Sequence, residues 1–174
     1  MPVSSAITTP WNKEVVAHNG HIEVKGWAYS GGGRWPERVE VSTDGGYVWY
    51  GVPTENMSPK HKFAWRTWSA SIPLDHEGWT ELCCRCWDNS LNTQPTYVRS
   101  TWNWGLHVTS SVHRIKIYSV NASRAKTRKR LEEFEAHGES FMPITRPTEF
   151  LRDSMPDEEY ERLWDKMEPR DVDD

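Results

Sequence analysis

Arg34 closes the run Ser30-Gly31-Gly32-Gly33-Arg34, in which three successive glycines remove every Cβ from the backbone just ahead of a guanidinium. A second surface can approach such a segment very closely, and Arg34 then stands beside it with a planar fork of donors. The run is not a phosphate-binding loop, because no helix pattern follows it to offer an N-terminus. What it offers is a cation at a point of close contact.

Other chemistry-bearing residues are less promising. Cys83, Cys84 and Cys86 are the only cysteines and crowd one strand-like run. Strand neighbours point to opposite faces and i, i+2 pairs are splayed, so reduced core thiols are expected rather than a disulfide. Zinc would need a fourth ligand and looser spacing. His18 and His21 have a metal-like spacing, but Asn19-Gly20 between them marks a turn, and solvent exposure is expected for both. No serine or cysteine sits in a strand-to-helix elbow, and the carboxylates form no acid/base pair. No catalytic residue and no metal ligand are assigned.

These residues need a scaffold, and the patterning predicts one made of strands. His21, Glu23 and Lys25 alternate with Ile22, Val24 and Gly26, a half-buried strand over 21–27. Val39 and Val41 alternate with Arg38, Glu40 and Ser42, and Asp44-Gly45-Gly46 turns the chain into Tyr47-Val48-Trp49-Tyr50, a hairpin. The stretch Ser42 to Trp49 also resembles the Asp-box, a structural turn braced by Ser and Asp over a Trp, with Val48 where Thr is usual. Further strands are expected over 63–72, 80–87, 96–101 and 113–118. About seven short strands joined by turn-rich loops predict an all-β, immunoglobulin-like antiparallel β-sandwich over residues 1–121.

Residues 122–174 read as a helical tail. A helix is expected from Ser123 through Phe134 to a stop at Gly138. Its basic run Arg124 to Arg130 is read as a solvated face, since Arg128/Glu132 and Lys129/Glu133 are i, i+4 pairs. After an extended link at Pro143 to Pro147, a second helix carries Tyr160, Leu163, Trp164 and Met167 on one stripe. That stripe is expected to pack on the sandwich or in a partner groove.

The 174 residues suffice for one domain with an appendage and a core that needs no disulfides. A net charge of −4 argues against a nucleic-acid binder. No window reaches the roughly 18 apolar residues of a membrane span, and Met1 to Ser5 lacks the features of a signal peptide. A soluble, intracellular protein is expected, with cytosol, mitochondrion and peroxisome all open. Eleven tryptophans are many for this length and suit either the core or a contact between domains or subunits.

Taken in order, several stretches resemble the C-terminal dimerisation domain of the sulfite oxidase family, which includes eukaryotic nitrate reductase. They are Pro2 to Ile7, Gly26 to Arg34, Arg38 to Ser42 with Asp44-Gly45-Gly46 and Trp49, and Ala64-Trp65-Arg66 with Trp68. Asp88, Asn92, Gln94-Pro95, Trp102-Asn103 and His113-Arg114 follow, and the match covers residues 2 to about 118. Ser110 and Val112 depart from the pattern, and the glycine after Trp102-Asn103 is shifted by one.

The resemblance implies an immunoglobulin-like sandwich that follows a larger domain carrying the molybdenum cofactor (molybdopterin). No cofactor is expected on this chain, and Cys83, Cys84 and Cys86 are not molybdenum ligands. The implied role is a dimerisation and domain-packing module of a molybdenum oxidoreductase that converts sulfite to sulfate, its partners a second copy and the cofactor domain of the same enzyme. In sulfite oxidases the arginine after the triple glycine reaches the neighbouring cofactor domain's oxyanion pocket, and Arg34 holds that position, whereas plant-type nitrate reductases tend to place lysine there; an interdomain salt bridge is the alternative. Gly31, Gly32, Gly33, Trp102, Asn103, His113 and Arg114 are implied at domain or dimer contacts. A nitrate reductase-like parent, a free-standing interaction protein and a tryptophan-bearing carbohydrate binder are the competing readings. The electron acceptor stays open.

Overall fold

The computed structural model describes residues 2–101 and 110–138. Eight strands run through them in chain order: β1 (Ser4–Thr9), β2 (Val15–His18), β3 (His21–Tyr29), β4 (Pro36–Ser42), β5 (Tyr50–Gly51), β6 (Arg66–Pro73), β7 (Gly78–Asp88) and β8 (His113–Asn121). A helix, α1 (Ala125–Ala136), follows.

The strands form two sheets, β1-β3-β6 and β2-β8-β7-β4-β5. Period-2 patterning decides which side chains meet between them. Ile22, Val24 and Ala28 of β3 with Trp68, Ala70 and Ile72 of β6 face Val39, Val41, Leu82, Cys84, Cys86, Ile115 and Ile117 of the larger sheet, in one core cluster. The result is the immunoglobulin-like sandwich that the alternation predicts. All pairings are antiparallel except β2 with β8, which is parallel.

Two local expectations need correction. Residues 96–101 are not a strand; Val98–Thr101 is a 3-10 turn, with Tyr97 and Val98 more than half exposed. Tyr97 and Val98 thus lack the half-buried setting that favours an extended strand. Tyr47 to Trp49 are also outside the hairpin ladder, because Asp44 takes the backbone N–H groups of Tyr47 (2.9 Å) and Val48 (3.0 Å). The Ser42 hydroxyl donates to Asp44 (2.6 Å) and accepts from the Gly46 N–H (2.9 Å), and Trp49 Nε1 donates to the Gly46 carbonyl (2.9 Å). This is the braced turn that the Asp-box pattern predicts.

β1 and β2 were absent from the strand pattern read above. β1 is short and polar, and its place is set by pairing along β3. Helix α1 starts after Arg124 and is followed by Gly138 in the left-handed region (φ +69°), where glycine carries no Cβ penalty. It has no buried residue, and Arg128 pairs with Glu132 at 3.9 Å, as a solvated face requires.

Most of the described tryptophans lie on outer faces. On the larger sheet Arg85 stacks over Trp49 (3.9 Å) and Trp87 (4.6 Å), and Arg38 over Trp87 (4.2 Å). The guanidinium planes cover indole surface that would otherwise meet water.

Candidate contact site on the glycine loop

β3 ends at Tyr29 and β4 begins at Pro36, so the glycine run is the connection that carries the chain from the smaller sheet to the larger. Gly32 (φ +70°) and Gly33 (φ +73°) occupy the left-handed region and let the loop fold back tightly. A Cβ at Gly33 would stand 3.3 Å from the Phe63 ring. One surface that comes close to the glycines therefore belongs to this chain. Phe63 is 69% exposed and Trp65 57%, and Trp65 meets Trp27 (4.5 Å) and Tyr29 (5.9 Å) to form an aromatic group beside the loop.

Arg34 is exposed, and its Nε donates to Ser90 Oγ at 3.1 Å. Among the described residues no carboxylate pairs with it. A second loop, residues 88–92, supports the arrangement. Asp88 is 1% exposed and accepts from Ser30 Oγ (2.9 Å), the N–H groups of Ser90 (2.8 Å) and Asn92 (3.0 Å), and Asn92 Nδ2 (2.9 Å). Trp35 and Asn89 exchange hydrogen bonds at 3.4 and 3.2 Å. Burial pushes the Asp88 carboxyl up, but these donors outweigh it and hold its pKa below the ordinary 3.8. Arg66, 2% exposed, ties the sheets nearby through Nε to the Ser58 carbonyl (2.7 Å) and Nη1 to the Pro36 carbonyl (2.8 Å).

The other residues marked out in the sequence lie elsewhere. Arg114 is committed inside the molecule, its Nη1 on Glu81 (2.6 Å) and the Gly45 carbonyl (3.0 Å). It sits at the Ser42 end of β4, whereas Arg34 precedes the Pro36 end, a separation of roughly 20 Å along the strand. His113 points to the smaller sheet, its Nδ1 accepting from the Ile7 N–H (3.3 Å), and burial lowers its pKa. Trp102 and Asn103, and the stripe from Tyr160 to Met167, lie outside the described residues.

His18 and His21 do not converge. His21 is exposed, but His18 is 6% exposed, against expectation. Its Nδ1 accepts from the Gly20 N–H (3.1 Å), so Nε2 carries the proton and donates to Ser119 Oγ (2.7 Å). Burial, with the nearby His76, lowers its pKa and favours this neutral form. The cysteines are buried and free, and desolvation pushes each thiol up to about 12. Burial holds them as neutral thiols in this fold. Among the described residues no group of three His, Cys, Asp or Glu side chains is placed to hold a metal. One face of Trp49 is covered by the Arg85 guanidinium.

Ser90 and Asn89 were missed in the sequence although a signal was present. Asp88-Asn89-Ser90-Leu91-Asn92 is a cluster of side chains that bond their own backbone, the signature of a braced turn.

The fold and the loop define an immunoglobulin-type β-sandwich that exposes an arginine at a glycine-rich connection. Residues 1–120 match the family model described as the Mo-co oxidoreductase dimerisation domain, and the chain belongs to that family. It is 38% identical over 122 residues to human mitochondrial sulfite oxidase, covering 68% of this chain and 22% of that protein. It is also 38% identical over 111 residues to nitrate reductase [NADH] 2 of Phaseolus vulgaris, covering 58% of this chain and 12% of that one. The crystal structure of the sulfane dehydrogenase SoxCD from Paracoccus pantotrophus superimposes with a TM-score of 0.55 at 26% identity, covering 71% of this chain and 31% of that one. The chain thus spans about a fifth of the length of the sulfite oxidases it matches. The matched region is the dimerisation domain of such oxidoreductases, not the part that holds the cofactor. Among the described residues no helix is long and apolar enough to cross a membrane.

Proposed function

We propose that this chain is the dimerisation and domain-packing module of a sulfite oxidase-type molybdenum oxidoreductase, in which the sandwich self-associates and Arg34 reaches the oxyanion pocket of a neighbouring cofactor domain. The observation that carries the reading is an exposed guanidinium on the glycine loop, oriented by Ser90 and not neutralised by any carboxylate among the described residues. A guanidinium fork suits the oxygen edge of a tetrahedral oxyanion, and a loop with few side chains admits a second domain closely. The chain itself performs no redox step; Arg34 adds positive charge and directed N–H donors to a pocket completed by another domain.

In the enzyme assembled with its cofactor domain, Arg34→Met is expected to raise the KM for sulfite about tenfold or more, with the melting temperature of the sandwich little changed. Unchanged kinetics would remove Arg34 from the oxyanion pocket. Self-association is checked by sedimentation of the full chain at micromolar concentration, where a dimer is expected and a strict monomer would end that part of the reading. A nitrate reductase-type parent is the second reading, supported by the Phaseolus vulgaris match at the same identity as the human one. Turnover of nitrate rather than sulfite by the assembled enzyme would select it.

A further inference from the structure

We infer that Ser90 is a positioning residue for Arg34, and that the buried Asp88 carboxylate aligns both partners without neutralising the guanidinium; the inference rests on the proposed role of Arg34 at an oxyanion. An arginine on an exposed glycine loop has many rotamers open to it, and holding it in one of them costs side-chain entropy. The hydrogen bond from Nε to Ser90 Oγ (3.1 Å) restrains the guanidinium at its root. It also selects which donors face outward. With Nε engaged, the two terminal nitrogens are left as the pair for a ligand, an end-on fork rather than a side-on one. The guanidinium lies across its own loop, since a Cβ on Gly32 would stand 3.4 Å from Arg34 Nη1.

Ser90 can restrain Arg34 because Ser90 is itself held. Its N–H donates to one Asp88 oxygen (2.8 Å), while the Ser30 hydroxyl at the start of the glycine run donates to the other (2.9 Å). One buried carboxylate therefore aligns the loop that carries Arg34 and the loop that orients it. The Trp35–Asn89 exchange locks the two loops a second time. The chemistry of the contacting group matters as well. A carboxylate at the position of Ser90 would orient Arg34 and cancel its charge, whereas a neutral hydroxyl orients it and leaves the charge for an anion. The negative charge of Asp88 is instead taken up by N–H and O–H donors.

The test uses the full chain labelled with 15N, reading the arginine Nε–H signals, with the Arg34 signal identified by its loss in Arg34→Met. In Ser90→Ala, exchange of the Arg34 Nε–H with water is expected to rise at least about threefold, the scale of one lost hydrogen bond. The Nε–H signals of Arg66 and Arg85, bonded to the Ser58 carbonyl and to Glu40, should stay unchanged as internal controls. Ser90→Thr retains the hydroxyl and should restore slow exchange. Unchanged exchange at Arg34 in Ser90→Ala overturns the inference, as does a change shared by all three arginines, which would mark a general structural role. If the Ser90 effect is present but Arg34→Met leaves the sulfite KM unaltered in the assembled enzyme, the oxyanion reading fails while the Arg34–Ser90 arrangement stands.

Discussion

Gly26→Ala is expected to destabilise the sandwich by about 3 kcal/mol or more, the upper range for forcing volume into a packed core. Gly26 lies mid-way along β3, paired with Ile7 on one side and Trp68 on the other. A Cβ there would overlap the Ala6 carbonyl oxygen and the Trp68 ring, with Trp68 Cε2 at 2.6 Å. Neither neighbour yields easily. The carbonyl belongs to the adjoining strand, and Trp68 is 3% exposed within the core. Among the described residues its buried Nε1 has no hydrogen-bond partner, so packing is what holds the indole there. Urea unfolding of Gly26→Ala, Trp68→Leu and the double variant measures the effect. The double variant should lose less than the sum of the singles, by at least about 1 kcal/mol. A loss in Gly26→Ala below about 1 kcal/mol would show that the strands have room that the geometry denies them.

Asp88→Ala should have the second-largest effect, roughly 3 kcal/mol, because it strands buried donors on two loops at once. Ser30 Oγ, the N–H groups of Ser90 and Asn92, and Asn92 Nδ2 would all lose their acceptor. The same substitution frees Ser90, so the Arg34 Nε–H should exchange faster, linking stability to the contact site. Asp88 also predicts a pH dependence. Its folded pKa is depressed, so its contribution is whole above the unfolded value of 3.8 and fades as the pH falls through the lower folded value. Stability of the wild type should therefore drop more steeply below pH 4 than that of Asp88→Ala, measured by urea midpoints across pH 3 to about 7. Parallel pH curves for the two proteins would contradict this account.

The two loops of the contact site differ in how far local sequence announces them. Gly31, Gly32 and Gly33 ahead of Arg34 are legible, because glycine is the residue that tolerates a positive φ and close approach. The partner of Arg34 is not, since Ser90 lies 56 residues away and is brought near by the Pro36–Asp88 pairing of β4 with β7. Arg66 stands in the same relation. Its neighbours in sequence give no sign that an arginine will be 2% exposed, and only the carbonyls of Ser58 and Pro36 make that burial tolerable. His18 likewise reads as a turn residue until Ser119 is placed against it.

Local rules account for much of the rest. Alternation in β3 and β4, the Asp-box turn, the burial of the cysteines and the glycine after α1 all follow from side-chain periodicity, turn chemistry and hydrophobicity, which act over a few residues. The existence of β1 and β2, the parallel pairing of β2 with β8, the failure of 96–101 to become a strand and the direction of Arg34 depend on which surfaces meet. A short polar segment gains its strand from a neighbour's unpaired N–H and C=O groups, and an exposed arginine gains its orientation from a hydroxyl carried by another loop. Those partners are brought together by the burial of the whole core, and no window of neighbouring residues contains that information.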